Sequence, residues 1–141
     1  MTLPMILAPL FVLVLMTFAL GFWLAALRAP AFSRGEVRAE DVDLRQPNWP
    51  RRTMQVSNSF SSQFELPMLF YVLTILAIMS KHADFLFVVM AWIFVLTRLA
   101  HAYVHTTSNN LRLRGPFFGV GLVVLALMWL IFIIRIIFGL P

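Results

Sequence analysis

Four long apolar runs, separated by short polar segments, dominate the pattern of the chain. Each run is close to the ~20 residues that a helix needs to cross ~30 Å of hydrocarbon. Backbone groups in lipid must be paired within their own segment, so the runs are expected to be helical. The pattern predicts an all-α membrane protein, a bundle of four transmembrane helices at residues 4–27, 56–80, 84–105 and 117–138.

The first run could instead be a secretory signal, because small residues follow it. No Lys or Arg precedes the run, however, and it is longer than the apolar core of a signal peptide. We therefore expect a true membrane span.

The three connections differ in length and charge. The connections 28–55 and 106–116 are rich in arginine, whereas the second is a tight turn with one lysine. Because cytoplasmic loops carry excess Lys and Arg, we expect connections one and three in the cytoplasm and both termini outside. Within the first connection, Ser33 to Glu36 fits a capping box, which predicts a short helix ending near Val42.

Composition narrows the chemistry. The chain is 61% hydrophobic and has no cysteine, three histidines and six acidic residues. Disulfides, thiolate metal sites and a cysteine nucleophile are thereby excluded, and we expect no metal.

The net charge of +5 lies in the connections, which favours membrane topology and contact with anionic membrane lipid over nucleic-acid binding. At 141 residues, one domain is expected.

Polar residues follow one face of the second run and one face of the third, at helical spacing. These residues are Asn58, Ser62 and Glu65 on the second run, and Arg98, His101 and His105 on the third. The tight turn makes the two runs antiparallel, so residues equidistant from it lie at equal depth. The level pairs are Glu65 with Arg98, Ser62 with His101, and Asn58 with His105.

A charge in the bilayer centre costs at least ~2.5–3.5 kcal/mol, and intramembrane ionisable residues usually mark function. Glu65 and Arg98 are therefore expected to face each other or a shared cavity. Two interpretations remain open for this pair: an ion pair that only pins two helices together, or part of a functional site. Pro67 removes a backbone donor and frees the carbonyl of Gln63, which predicts at least a kink.

Two segments resemble a known family. QFELPMLFYVL in the second run resembles the second-helix signature of the MAPEG superfamily, the membrane-associated proteins of eicosanoid and glutathione metabolism. RLAHAYVHTTSNNLRLRG resembles the end of that family's third helix and its following basic loop. The resemblance covers most of the chain and points to a bacterial branch of the family. It implies a homotrimer of four-helix protomers in the bacterial inner membrane.

The resemblance also implies a ligand and the residues that contact it. Glutathione-using members bind the tripeptide between neighbouring protomers near the cytoplasmic side, and lipophilic substrates approach from the bilayer. By position, Glu65 matches the glutamate that contacts the glutathione amino group, and Arg98 matches the arginine that opens the helix-three motif. Arg114 or Arg112 matches the basic residue that activates the thiol. The remaining expected contacts are His101, His105, Asn58 and Ser62, with Arg51 or Arg52 for the carboxylates and Tyr103 nearby.

The sequence departs from the glutathione-using members at three of these positions. Asn58 stands where those members typically have Arg, Ser62 where they often have Asn, and His105 where many have Tyr, although Tyr103 is close. Two function classes follow. One is a glutathione-transferase-like or peroxidase-like enzyme acting on lipophilic electrophiles; the other is a non-catalytic oligomeric scaffold or accessory subunit. A lipid-binding or transport role is less favoured, since the outer half has few polar residues.

Overall fold

The structure, a computed structural model, describes residues 2–141 and consists of helices joined by short connections. In chain order the helices are α1 (Leu3–Ser33), α2 (Ala39–Val42), α3 (Arg51–Ser62), α4 (Leu66–Met79), α5 (Phe85–Thr106) and α6 (Leu111–Ile137). No strand occurs between residues 2 and 141. Four segments are long and apolar enough to cross a membrane: Leu3–Ser33, Arg51–Met79, Phe85–Thr106 and Leu111–Ile137. The chain is therefore an all-α, multi-pass integral membrane protein.

The second membrane segment is interrupted. Helix α3 ends at Ser62 and α4 begins at Leu66, so residues 63–65 form a non-helical break. Pro67 is the second residue of α4. Proline has no N–H to offer the carbonyl four residues earlier, and its ring clashes with that carbonyl. The effect of Pro67 is thus a full break, where we predicted one continuous helix over 56–80.

The first connection is organised differently from the prediction. Ser33 is the last residue of α1, and Gly35 has a φ of +73°, so the predicted capping box at Ser33 is not formed. The short helix α2 instead begins after Arg38, whose backbone N–H donates to the Asp41 carboxylate at 3.2 Å. The error arose because glycine ends helices readily in the left-handed conformation, and here it ends α1.

Helix α6 begins six residues before the predicted start at residue 117. The side chain of Asn110 accepts a hydrogen bond from the backbone N–H of Arg112 at 3.0 Å and so caps the helix. Arg112 and Arg114 consequently lie on the first turns of a helix, where we predicted a loop over 106–116. Pro116 follows in the second turn.

Helix α5 carries more buried residues than any other helix and packs against α1, α3 and α6. Phe94 of α5 stacks on Phe70 of α4, with ring centroids 5.1 Å apart, and both rings are fully buried. At the α4–α5 turn, Arg135 of α6 forms an ion pair with Asp84 at 2.9 Å. Tight apolar packing thus fixes α5, and α5 carries the polar face described next.

Candidate functional site

The polar faces of the second and third membrane segments open onto one cavity. The cavity has a volume of about 520 Å³ and lies between α3, the C-terminal half of α5 and the first turns of α6. Its wall consists of Asn58, Ser61, Ser62, Glu65, His101, His105, Leu111, Arg114, Gly115 and Phe118. Six of the predicted site residues are therefore brought together around one space.

Arg98 lies behind this wall and is almost fully enclosed, with 1% of its surface exposed. Its Nη2 donates to the Ser62 hydroxyl at 2.7 Å and to the Ser62 carbonyl at 3.3 Å. The predicted Glu65–Arg98 ion pair is not formed. Among residues 2–141, the single ion pair joins Asp84 and Arg135. The break before α4 explains the difference: Ser62 remains on α3, while Glu65 has left the helix and is exposed.

His101 and His105 form the α5 side of the cavity and are both buried. Their rings meet edge to face with centroids 5.5 Å apart. The His101 ring also packs against the Phe118 ring, with centroids 5.9 Å apart. The Nδ1 atom of each histidine is buried and has no hydrogen-bond partner among the described residues. A buried polar atom is normally hydrogen-bonded, so each histidine keeps hydrogen-bonding capacity that no described residue satisfies.

Arg114 forms the α6 side of the cavity and is partly buried. Its Nη1 donates to Oδ1 of Asn109, which fixes the guanidinium at the cavity wall. The start of a long helix also carries a partial positive charge from its free N–H groups, and Leu111, the first residue of α6, lines the same cavity. The α6 side is therefore the electropositive wall.

Glu65 contributes the only carboxylate to the cavity wall. It is exposed and lies directly before α4, where its side chain makes no capping hydrogen bond and its backbone conformation is unusual, with φ −102° and ψ −104°. A wall with one carboxylate, one guanidinium and two histidines can hold a ligand that carries both an ammonium and a carboxylate group. The cation attracts the carboxylate, and the anion attracts the ammonium.

Besides Arg98, four predicted site residues lie outside the cavity wall: Arg51, Arg52, Tyr103 and Arg112. Arg52 lies over the Trp23 ring at 5.0 Å, and Tyr103 points away with 70% of its surface exposed. Of the two candidate thiol-activating arginines, Arg114 borders the cavity and Arg112 is exposed elsewhere.

Five residues of the site were not predicted from the sequence: Ser61, Asn109, Leu111, Gly115 and Phe118. Asn110 followed by a basic and apolar run is a helix-start signal and could have placed Asn109 and Arg114 correctly. No comparable signal marks Ser61 or Phe118, since serines and phenylalanines are common throughout the chain.

An apolar groove lies on α6, close in sequence to the α6 residues of the polar cavity. It has a volume of about 410 Å³ and is lined only by Pro116, Gly119, Val120, Val123 and Val124. It begins one residue after Gly115, which lines the polar cavity. Among residues 2–141, no group of three or more His, Asp or Glu side chains could hold a metal ion.

Comparison with known proteins gives one result. A sequence model of the MAPEG family matches residues 6–134 of the 141-residue chain. No curated protein and no solved structure matches the chain.

Proposed function

The chain belongs to the MAPEG family, and on that premise we propose that it is a glutathione-transferase-like or peroxidase-like membrane enzyme. It would conjugate or reduce a lipophilic electrophile with glutathione as the thiol. The observation that carries the proposal is the cavity in which Glu65, both histidines and Arg114 meet. Proteins of this family generally use glutathione, and the chain has no cysteine of its own.

Arg114 is the proposed thiol-activating residue. A free thiol is mostly protonated at neutral pH, and cationic neighbours or a helix N-terminus lower its pKa. Both influences act at this wall of the cavity: Arg114 supplies the cation, and the start of α6, three residues earlier, supplies the helix N-terminus. Asn109 holds its guanidinium, so little conformational freedom is lost when a thiolate binds.

Glu65 is proposed to bind the amino group of the tripeptide, and the histidines its polar backbone or a carboxylate. Arg98 is proposed to act without touching the ligand. It orients the Ser62 hydroxyl through a hydrogen bond and adds positive charge behind the cavity wall. His105 provides the polar contact at the position where many family members have tyrosine. The departures at Asn58, Ser62 and His105 thus preserve polar groups at the wall, although they change their chemistry.

The electrophile is proposed to approach from the lipid through the apolar groove on α6, whose first lining residue, Pro116, directly follows Gly115 of the polar cavity. A lipophilic substrate could lie along Val120 and Val124 while its reactive carbon reaches the thiolate near Arg114. We further propose a homotrimer in which glutathione binds between neighbouring protomers, as family membership implies.

Calorimetric titration of the purified, partner-free protein with glutathione tests this proposal. We expect binding at millimolar or lower concentration. Loss of one charge-assisted contact should weaken binding about tenfold or more in Arg114→Ala and in Glu65→Gln. Arg112→Ala is the matched control, because it removes the same charge two residues away, outside the cavity.

Absence of binding at millimolar glutathione would overturn the proposal. The same preparation distinguishes the non-catalytic alternative. Thiol-dependent consumption of an electrophile such as 1-chloro-2,4-dinitrobenzene by the partner-free protein contradicts a scaffold role. Copurification with a stoichiometric partner and no turnover would support that role.

A further inference from the structure

A second polar cavity lies on the other side of α3. It has a volume of about 410 Å³ and is enclosed by the end of α1, the α1–α3 connection and α3. Asn58 and Ser61 belong to the walls of both cavities, so α3 forms the partition between them. The second cavity has no part in the thiol chemistry proposed above.

The charge in this cavity is of one sign. Arg28 and Arg45 line it, and none of its lining residues is acidic. Asp41, in the same connection, is engaged by the backbone N–H of Arg38 at 3.2 Å. The cavity therefore attracts anions.

Arg28 is held in place and still has hydrogen-bonding capacity. Its guanidinium lies over the Trp49 ring at 4.9 Å, and its Nη2 donates to the Ser57 hydroxyl at 3.1 Å. Its Nε atom is buried and has no partner among the described residues. Buried donors are normally satisfied, so the guanidinium keeps a donor that no described residue satisfies, and Arg28 lines the polar cavity.

The connection that forms the floor of the cavity is ordered by its own side chains. Gln46 accepts from the backbone N–H of Leu44 at 2.8 Å and donates to the Glu40 carbonyl at 3.3 Å. Asn48 donates to the Asp41 carbonyl at 2.6 Å. These bonds hold Arg45 at a φ of +64°, a left-handed conformation that costs about 1–3 kcal/mol for a residue other than glycine and recurs in turns and at functional sites.

The position of the cavity indicates the source of the anion. Arg28 is the first charged residue after the apolar run of α1, so the cavity begins where that helix leaves the hydrocarbon. Tryptophan is typical of the headgroup level, and Trp49 lines the cavity together with apolar Leu24 and Phe60. A guanidinium binds phosphate through paired N–H donors. We propose that this cavity binds a phosphate group, and that the phosphate belongs to the headgroup of an anionic phospholipid.

Native mass spectrometry of the detergent-purified protein, titrated with phosphatidylglycerol or with phosphatidylcholine, tests the site. We expect one tight phosphatidylglycerol per chain and weaker phosphatidylcholine. Arg28→Gln and Arg45→Gln should each weaken phosphatidylglycerol binding about tenfold, since each removes a charge-assisted contact. Arg45 is exposed, so its variant keeps the test valid even if Arg28→Gln folds poorly.

Arg34→Gln is the matched control, an exposed arginine of the same connection that does not line the cavity. An equal loss in Arg34→Gln would overturn the proposal, because it would show diffuse attraction of a basic loop to anionic lipid. Equal binding of both lipids would also overturn it. Inorganic phosphate is the third arm: if it binds in an Arg45-dependent manner and phosphatidylglycerol does not, the phosphate site stands and its ligand is a soluble phosphate ester.

Discussion

At the level of single residues, the stability of the fold depends on which groups hydrogen-bond to the buried charge of Arg98. Arg98 has almost no exposed surface, and its one side-chain partner is the Ser62 hydroxyl. The sequence predicted which residues face the interior, because polar spacing on a helix is regular. It could not predict that Arg98 bonds to Ser62 instead of Glu65, since that choice depends on where the second segment breaks.

Ser62→Ala should destabilise the protein by about 1–3 kcal/mol, because it leaves a buried charged donor without its hydroxyl partner. Unfolding in mixed micelles measures the change. Ser61→Ala is the control: Ser61 is the exposed neighbour on the same helix, and its loss should change the free energy of unfolding by less than about 0.5 kcal/mol. Equal effects would show that Ser62 has no special role in holding Arg98.

The Asp84–Arg135 pair should make stability depend on pH. Partial burial acts to raise the pKa of Asp84, but hydrogen bonds from Arg135 and the Phe87 backbone, with the charge of Arg135, hold that pKa below its usual value. A carboxyl group whose pKa is lower in the folded state stabilises that state at pH values above its unfolded pKa, which is about 3.9 for Asp. This stabilisation is lost as the pH falls through the folded-state pKa.

We therefore expect the unfolding temperature to fall below about pH 4, and the fall to be smaller in Asp84→Asn. The Asp84 side chain is 47% exposed, so the contribution should stay below about 1 kcal/mol. Asp43→Asn, an exposed acid of the first connection, should keep the wild-type pH profile. If Asp84→Asn leaves the dependence of the unfolding temperature on pH unchanged, the Asp84–Arg135 pair is not its source.

At the scale of the elements, hydropathy identified the four apolar segments, because each must fill the same thickness of hydrocarbon. The ends of the helices were less predictable. Pro67 was recognised as a disturbance, yet whether proline kinks or breaks a helix depends on the neighbours that receive the freed backbone groups. The early start of α6 was readable from Asn110. The first helix was predicted to end at residue 27 but runs to Ser33, six residues further, and its end depends on Gly35 adopting a positive φ.

The contact between α5 and α6 requires glycine at position 121. A Cβ atom placed there would lie 2.9 Å from Thr97 Oγ1, and that hydroxyl is already fixed by its bond to the Phe94 carbonyl. Gly121→Ala should cost about 1–3 kcal/mol from overpacking. Gly119→Ala is the control two residues away, where a Cβ meets nothing within 4 Å. Comparable losses in the two variants would argue against close packing at Gly121.

At the scale of the whole molecule, the site is assembled from three helices that are distant in sequence. Antiparallel packing and helical spacing were enough to predict that α3 and α5 contribute to one polar region. The contribution of α6 came only from the resemblance to a family, because nothing in the spacing relates Arg114 to Glu65. The second polar cavity could not be predicted, since it depends on side-chain bonds within the first connection.

The distribution of arginines predicts that both termini face outward, and the absence of cysteine allows a clean test. A membrane-impermeant maleimide applied to intact spheroplasts should label Leu140→Cys near the C-terminus. It should label Ser108→Cys, in the exposed α5–α6 connection, only after the membrane is permeabilised. The reverse labelling pattern would invert the proposed orientation.

We propose that the cavity between α3, α5 and α6 holds glutathione. A density map of the membrane-extracted protein with added glutathione tests it most directly. We expect tripeptide density in that cavity, with its amino group at Glu65 and its sulfur near Arg114. A well-resolved map in which the Glu65–Arg114 cavity contains no such density at saturating glutathione would contradict it.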